Sequence, residues 1–228
     1  MEGDGMEFKR LKAPKPSHMK IVKAGAEIRS NPEPAPEDIA FMARQLVQAT
    51  LPHSAPKGNP PEWSRQNGNL TLAIRPGYTT DLKTRKRVCL GYPYGTIPRL
   101  LLFWITTEAL RTGNPRIQLG TSLTAFMREL ELDPSNGSAG AKRSDARRLR
   151  DQMERLFRAT ITIEKVDERS KKWGDMNVAP KGELWWDFHN PDQTGLFNSW
   201  IELNPDLFRA IMDAPVPVDM RALRNLKR

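Results

Sequence analysis

The sequence contains one cysteine, Cys89, and only three histidines, His18, His53 and His189. A single thiol forms no internal disulfide, and histidines this scattered do not assemble a zinc site. Cys89 reads as a reduced, half-buried packing residue. The absence of a His-x-His pair also excludes the metal-holding histidines that a rolling-circle nickase sets beside its tyrosine nucleophile. No Walker loop is present: Gly113-Asn-Pro115 and Gly137-Ser-Ala-Gly140 lack the following Lys-Ser/Thr. Asp187 and Asp192 lack the close spacing of acidic metal ligands in a primase or polymerase. The chain is therefore expected to be non-enzymatic, with no catalytic residue, no cofactor and no metal. Long apolar runs are missing too. The stretch Leu100 to Ile105 falls far short of the ~20 residues that span a bilayer. The N-terminus has no signal-peptide pattern, so a cytoplasmic location and no membrane partner are expected.

Basic residues are plentiful. Lysine and arginine number 36 against 27 acids, a formal net charge of +9 with a pI near 9.8. At 228 residues the chain is long enough to bury a core without staples and suits one or two domains. Such a surplus points to a polyanionic partner.

The surplus is organised on one stretch. From Gly120 to Leu132 the residues Leu123, Phe126, Met127 and Leu130 keep the i, i+3, i+4, i+7 spacing of a helix with one buried stripe. After a Gly/Ser-rich turn, Ala146, Leu149, Met153, Leu156 and Phe157 repeat the pattern over Ala141–Phe157. The remaining arc of this second helix carries Arg143, Ser144, Arg147, Arg148, Arg150, Arg155 and Arg158, only partly offset by Asp145, Asp151 and Glu154. A short packed helix followed by a basic one is how a helix-turn-helix presents itself to the major groove. The competing reading is a solvated helix with i, i+4 charge pairs.

The rest of the chain frames that stretch. Residues 1–35 read as a disordered basic tail, because no periodicity is visible among their basic, proline and small residues. Pro36-Glu-Asp-Ile39 starts a helix that the spacing of Ile39, Met42, Ala43, Leu46 and Val47 carries to about Gln48. His53–Asn69 reads as a loop, Leu70–Ile74 as a strand ended by Pro76-Gly77, and Asp81–Arg87 as a solvated charge cluster. Pro98 opens a central core helix that runs to about Arg111, and Arg116–Leu119 is a short strand. After the basic helix a wing is expected. Its strands are Thr160–Lys165 and Glu183–Phe188, around a polar loop with Arg169, Lys171, Lys172, Trp173 and Lys181. Ser199–Leu203 is a further strand. Asn204 caps a helix with Leu207, Phe208, Ile211 and Met212. Pro215–Val218 breaks the chain, and Asp219 caps a final short helix.

At this point the sequence resembles the plasmid-encoded RepA-type replication initiators, the group related to TrfA. The resemblance rests on Gly91–Ala109, Leu119–Leu130, Arg148–Met153, Phe197–Leu203 and Pro215–Lys227. It implies two tandem winged-helix domains that bind directly repeated origin sequences and recruit the host initiator and the replicative helicase. The expectation is thus an α+β fold: a winged helix-turn-helix with an N-terminal helical and strand extension. Residues 1–35 are a tail, 36–213 the DNA-binding domain with its core at about 91–213, and 214–228 a linker and the first helix of a second, missing domain. The DNA-binding candidates are Lys142, Arg143, Ser144, Arg147, Arg148 and Arg150 on the recognition helix, with Arg169, Lys171, Lys172 and Lys181 on the wing. The partner is double-stranded DNA carrying the origin repeats. The alternatives are a winged-helix transcriptional regulator, or a dimerisation module in which Trp185, Trp186 and Trp200 form a homodimer surface.

Overall fold

The computed structural model describes residues 16–35, 38–43, 46, 50–81, 83–120, 122–130, 132–133, 145–184 and 199–225. The chain divides into two compact units, residues 40–218, and residues 1–39 together with 219–228. Helices and antiparallel sheets are mixed, so the fold is α+β. No described helix is long and apolar enough to cross a membrane.

In the larger unit, helix α2 (Thr96–Thr112) is the axis, taking its number after α1 of the smaller unit. Ile97, Leu100, Leu101, Phe103, Ile105 and Ala109 are buried, so the helix is enclosed on most sides, as its apolar run predicts. Gly113 ends it in the left-handed conformation and donates its N–H to Ala109 O at 2.9 Å. Strand β6 (Arg116–Gln118) follows, then α3 (Leu123–Glu129) and α4 (Asp145–Arg158). The Ser122 side chain caps α3 by accepting from Ala125 N at 3.1 Å. The two predicted stripes meet in the core. Leu123, Phe126, Met127 and Leu130 are buried on one helix, and Leu149, Met153, Leu156 and Phe157 on the other. Phe126 meets Trp104 of α2 edge to face, with centroids 4.9 Å apart.

Two sheets border these helices. One is three-stranded in the order β6-β10-β9, with β9 at Lys181–Glu183 and β10 at Trp200–Glu202. Ile201 of the central strand is buried and lies opposite Ile117 and Gly182 in antiparallel register. The other is four-stranded in the order β2-β3-β7-β8: β2 is Trp63–Asn67, β3 Leu70–Arg75, β7 Thr160–Asp167 and β8 Ser170–Asn177. Leu72 opposes Ile163 and Ile74 opposes Ile161, so alternate residues build an apolar face. Between β3 and α2 lies a hairpin of β4 (Gly77–Thr80) and β5 (Arg87–Gly91). Helix α5 (Pro205–Asp213) is capped by Asn204, which accepts from Asp206 N at 2.8 Å. Strand β1 (Ile39–Ala43) pairs with β11 (Pro215–Asp219).

The smaller unit holds α1 (Pro16–Ser30) and α6 (Met220–Asn225), packed on each other. Asp219 caps α6 by accepting from Arg221 N at 2.8 Å. The guanidinium of Arg221 binds the same carboxylate and also donates to Asn31 O at 3.0 Å. That hydrogen bonding holds Asp219 below the usual carboxylate range and raises Arg221.

The structure departs from the sequence reading at five places. The expected tail contains α1, in which Ala24 is buried while Met19 and Val22 are exposed, a weak stripe that leaves little periodicity to read. The first part of the helix expected from Pro36 is a strand at Ile39–Ala43, because a short all-apolar run fits either period, while Leu46 is helical as expected. The expected loop before Asn69 contains β2, whose exposed polar residues give no apolar alternation. Pro76-Gly77 does end β3, at Arg75, as expected, but Gly77 at once opens β4. Pro215–Val218 is not a break but lies in β11, and proline is tolerated at a sheet edge. The expected wing takes another form: β7 turns back after Glu168-Arg169 into β8, inside the stretch read as loop. Of the expected return strand only Glu183 belongs to β9, and Trp185–Phe188 lie outside the described residues.

Candidate nucleic-acid interface

Helix α4 rests its apolar side on α2 and α3 and turns its basic arc outward. On that arc Arg148 and Arg158 are exposed, and Arg147 and Arg150 are half-buried. Lys142, Arg143 and Ser144 lie outside the described residues. Arg148 donates from Nη1 to Asp145 Oδ1 at 2.9 Å, and Arg150 from Nε to Glu154 Oε1 at 3.2 Å. These i, i+3 and i, i+4 pairs span single helical turns; Asp145 is buried beneath the exposed Arg148, whereas the Arg150–Glu154 pair is partly exposed, and a pair of that kind contributes little. Arg155 does something different. Its Nη1 donates to Tyr92 O at 3.4 Å, and its guanidinium sits 5.5 Å from the Tyr94 ring. Gln152 accepts from Tyr94 N at 2.9 Å. Arg155 and Gln152 therefore brace α4 against the chain that leads into α2.

The four residues expected on a wing are separated. Lys181 lies on β9 and donates to Glu202 Oε1 of β10 at 3.0 Å. Arg169, Lys171 and Lys172 lie on the β7–β8 hairpin of the four-stranded sheet. Arg169 is in its turn, one eight-residue strand or ~25 Å of chain beyond the end of α4. Lys171 is ion-paired with Glu164, and Lys172 stands directly opposite Lys165. Trp173 lies on β8 opposite Glu164 and is 70 % exposed. Trp200 packs differently. Arg116 lies 3.9 Å over its ring, and its Nε1 donates to Glu183 at 3.3 Å.

One basic element is read in the sequence only as a solvated charge cluster, without its hairpin. The charge cluster at 81–87 is the turn of the β4–β5 hairpin, and that hairpin packs against α4. Asp81 folds the turn, with Oδ1 accepting from Thr84 N at 2.6 Å and from Lys83 N at 3.1 Å. The Thr84 bonds hold the Asp81 carboxyl below its ordinary range. Lys83, Arg85, Lys86 and Arg87 stand exposed around that single acid. The missed signal was the pair of short strands on either side, Gly77-Tyr-Thr-Thr80 and Arg87-Val-Cys-Leu-Gly91.

Among the described residues no group of three His, Cys, Asp or Glu side chains is placed to share a metal ion. What the surface around α4 offers chemically is cations and aromatic rings.

A family model described as plasmid encoded RepA protein matches residues 92–228. Comparison with curated proteins and with solved structures gave no match. The matched span is more than half of the chain and includes α2, α3, α4, β9 and β10. The chain belongs to the plasmid-encoded RepA protein family.

Proposed function

We propose that this RepA-family chain is a non-enzymatic initiator of plasmid replication that binds double-stranded origin repeats by laying α4 in the major groove. The observation that carries the reading is the basic arc of α4, held outward by a fully packed opposite side. Topology supports it. In chain order α2, β6, α3, α4, β9 and β10 follow helix, strand, helix, helix, strand, strand, and the first strand pairs with the last. With β7 and β8 set aside, that order matches the chain order of a winged helix. The β7–β8 hairpin is then an insertion between the recognition helix and the wing strands.

The chemistry follows from charge and geometry. Arginines at Arg147 and Arg148 reach base edges as well as phosphates, and a bidentate fork to a guanine edge distinguishes one base pair from the others. Arg150 is set for the backbone, which fixes register but carries no sequence information. Lys142, Arg143 and Ser144, just before α4, enter the groove with it in this reading. The host initiator and replicative helicase are the protein partners, and the bacterial cytoplasm is the site of action.

The test is fluorescence anisotropy on a duplex of the plasmid's own origin repeats and on a scrambled duplex. Arg147→Ala is expected to weaken the repeat duplex by about 5- to 150-fold, the equivalent of ~1–3 kcal/mol, and the scrambled one far less. Equal losses on both duplexes would overturn the assignment of base reading to α4.

A further inference from the structure

Arg87 of β5, Arg158 of α4 and Lys181 of β9 come from distant parts of the chain and line one half-open groove of about 730 Å³. Tyr78, Trp200 and Glu154 also line it. The acids nearby are engaged: Glu154 with Arg150, and Glu202 with Lys181. The side chains of Arg87 and Arg158 are exposed and, among the described residues, have no hydrogen bond or ion pair. Two unneutralised guanidinium groups therefore line a cleft that Tyr78 and Trp200 also border.

The hairpin that forms one wall is fastened to the recognition helix. Gly77 and Gly91 are register partners across the β4–β5 ladder. A Cβ on Gly77 would lie 2.4 Å from Arg158 O, and one on Gly91 3.7 Å from the Arg155 guanidinium. Glycine at 77 lets the ladder approach the last turn of α4, while Gly91 takes the left-handed conformation, φ 78°, that glycine favours. The hairpin turn adds the exposed cations Lys83, Arg85 and Lys86.

We propose that this groove and the hairpin tip bind the phosphodiester backbone of the DNA strand that flanks the site entered by α4. The inference rests on the proposed DNA-binding function and names a second contact of the same complex. Several exposed cations at one hairpin turn, with Arg158 and Lys181 at the groove, fit a polyanion better than a single phosphate group. Contacts of this kind add affinity without sequence choice and make binding steeply dependent on salt.

The experiment uses the full chain, the repeat duplex and the scrambled duplex over a salt series. The variants are Arg87→Gln with Arg158→Gln, and Lys83→Ala with Arg85→Ala and Lys86→Ala. All five side chains are exposed, so thermal unfolding is expected to match the wild type. Each lost phosphate contact lowers the slope of log K against log salt by about 0.9. The double variant is expected to flatten the slope by roughly two of those increments and to weaken both duplexes by the same factor. Unchanged slopes in both variants, or a loss confined to the repeat duplex, would overturn the proposal. The two readings fail separately. If the wild type selects the repeats and both variants behave like it, only the groove assignment falls. If the wild type binds neither duplex, the α4 reading falls and takes this one with it.

Discussion

Gly77 has no room for a methyl group. A Cβ there would lie 2.4 Å from Arg158 O and 2.7 Å from Arg158 C, and both are backbone atoms of a helix that cannot give way cheaply. The reason is steric rather than conformational, since Gly77 is not at positive φ. Gly77→Ala is expected to destabilise the fold by about 1–3 kcal/mol, as overpacking does, measured by urea unfolding. His53 is a second sensitive residue, for an electrostatic reason. Arg99 first, then burial, then Arg65 push its pKa below the ordinary 6.5. Arg99 itself is lowered by burial and by Arg65, and donates to Leu51 O at 3.0 Å. Protonation of His53 is therefore disfavoured in the folded chain relative to the unfolded one. Between the two pKa values the unfolded chain binds more protons, so this group costs nothing above pH 6.5 and removes stability as pH falls from there through the folded pKa. His53→Gln is expected to flatten the fall in melting temperature between pH 7.5 and 5. A variant whose melting temperature falls as steeply as the wild type's would show that the Arg99–Arg65–His53 cluster does not govern the loss.

Among the elements, α3 shows which force decides. At seven residues it is too short to persist as an isolated helix. The Ser122 cap contributes about 1 kcal/mol, whereas Phe126, fully buried against Trp104, represents about 3–5 kcal/mol. Ser122→Ala is thus expected to lower stability slightly and Phe126→Ala severely, by chemical denaturation. A cap effect equal to the core effect would show that the helix stands by local bonding instead. The same contrast explains what was legible in the sequence. Helices α2 to α5 bury a stripe, and a stripe at a 3.6-residue period is written locally. The short strands are not: β2 is largely exposed, β4 and β5 bury no apolar side chain fully, and β3 finds β7 some ninety residues along the chain. Leu72 and Ile74 announce a strand but not its partner, and so the β7–β8 hairpin was read as half of a wing. The site followed the same rule. The arginines of α4 were visible because they share a helical face. The convergence of Arg87, Arg158 and Lys181 was not, because it depends on β4–β5 and β9 being brought to α4 by tertiary contacts.

At the scale of the whole molecule, the family match starts at Tyr92 but the fold does not. Strand β3 lies before it and supplies the partner edge for β7 along six register pairs, from Leu70 with Lys165 to Arg75 with Thr160. Leu72 and Ile74 are both 0 % exposed. Full burial of two aliphatic side chains is worth about 3–6 kcal/mol, against a total stability of ~5–15 kcal/mol for a typical domain. Removing residues 1–91 also takes away β4–β5, the wall that packs along α4, and leaves the edge of β7 and the apolar side of Ile161 and Ile163 open to other chains. The fragment 92–228 is therefore expected to lack cooperative thermal unfolding and to aggregate, although it contains every residue matched to the family. A chain of residues 50–228, which keeps both hairpins, is expected to retain far more of the cooperative transition. A soluble, cooperatively melting 92–228 fragment would show that the matched region is an autonomous domain and that the N-terminal strands only decorate it.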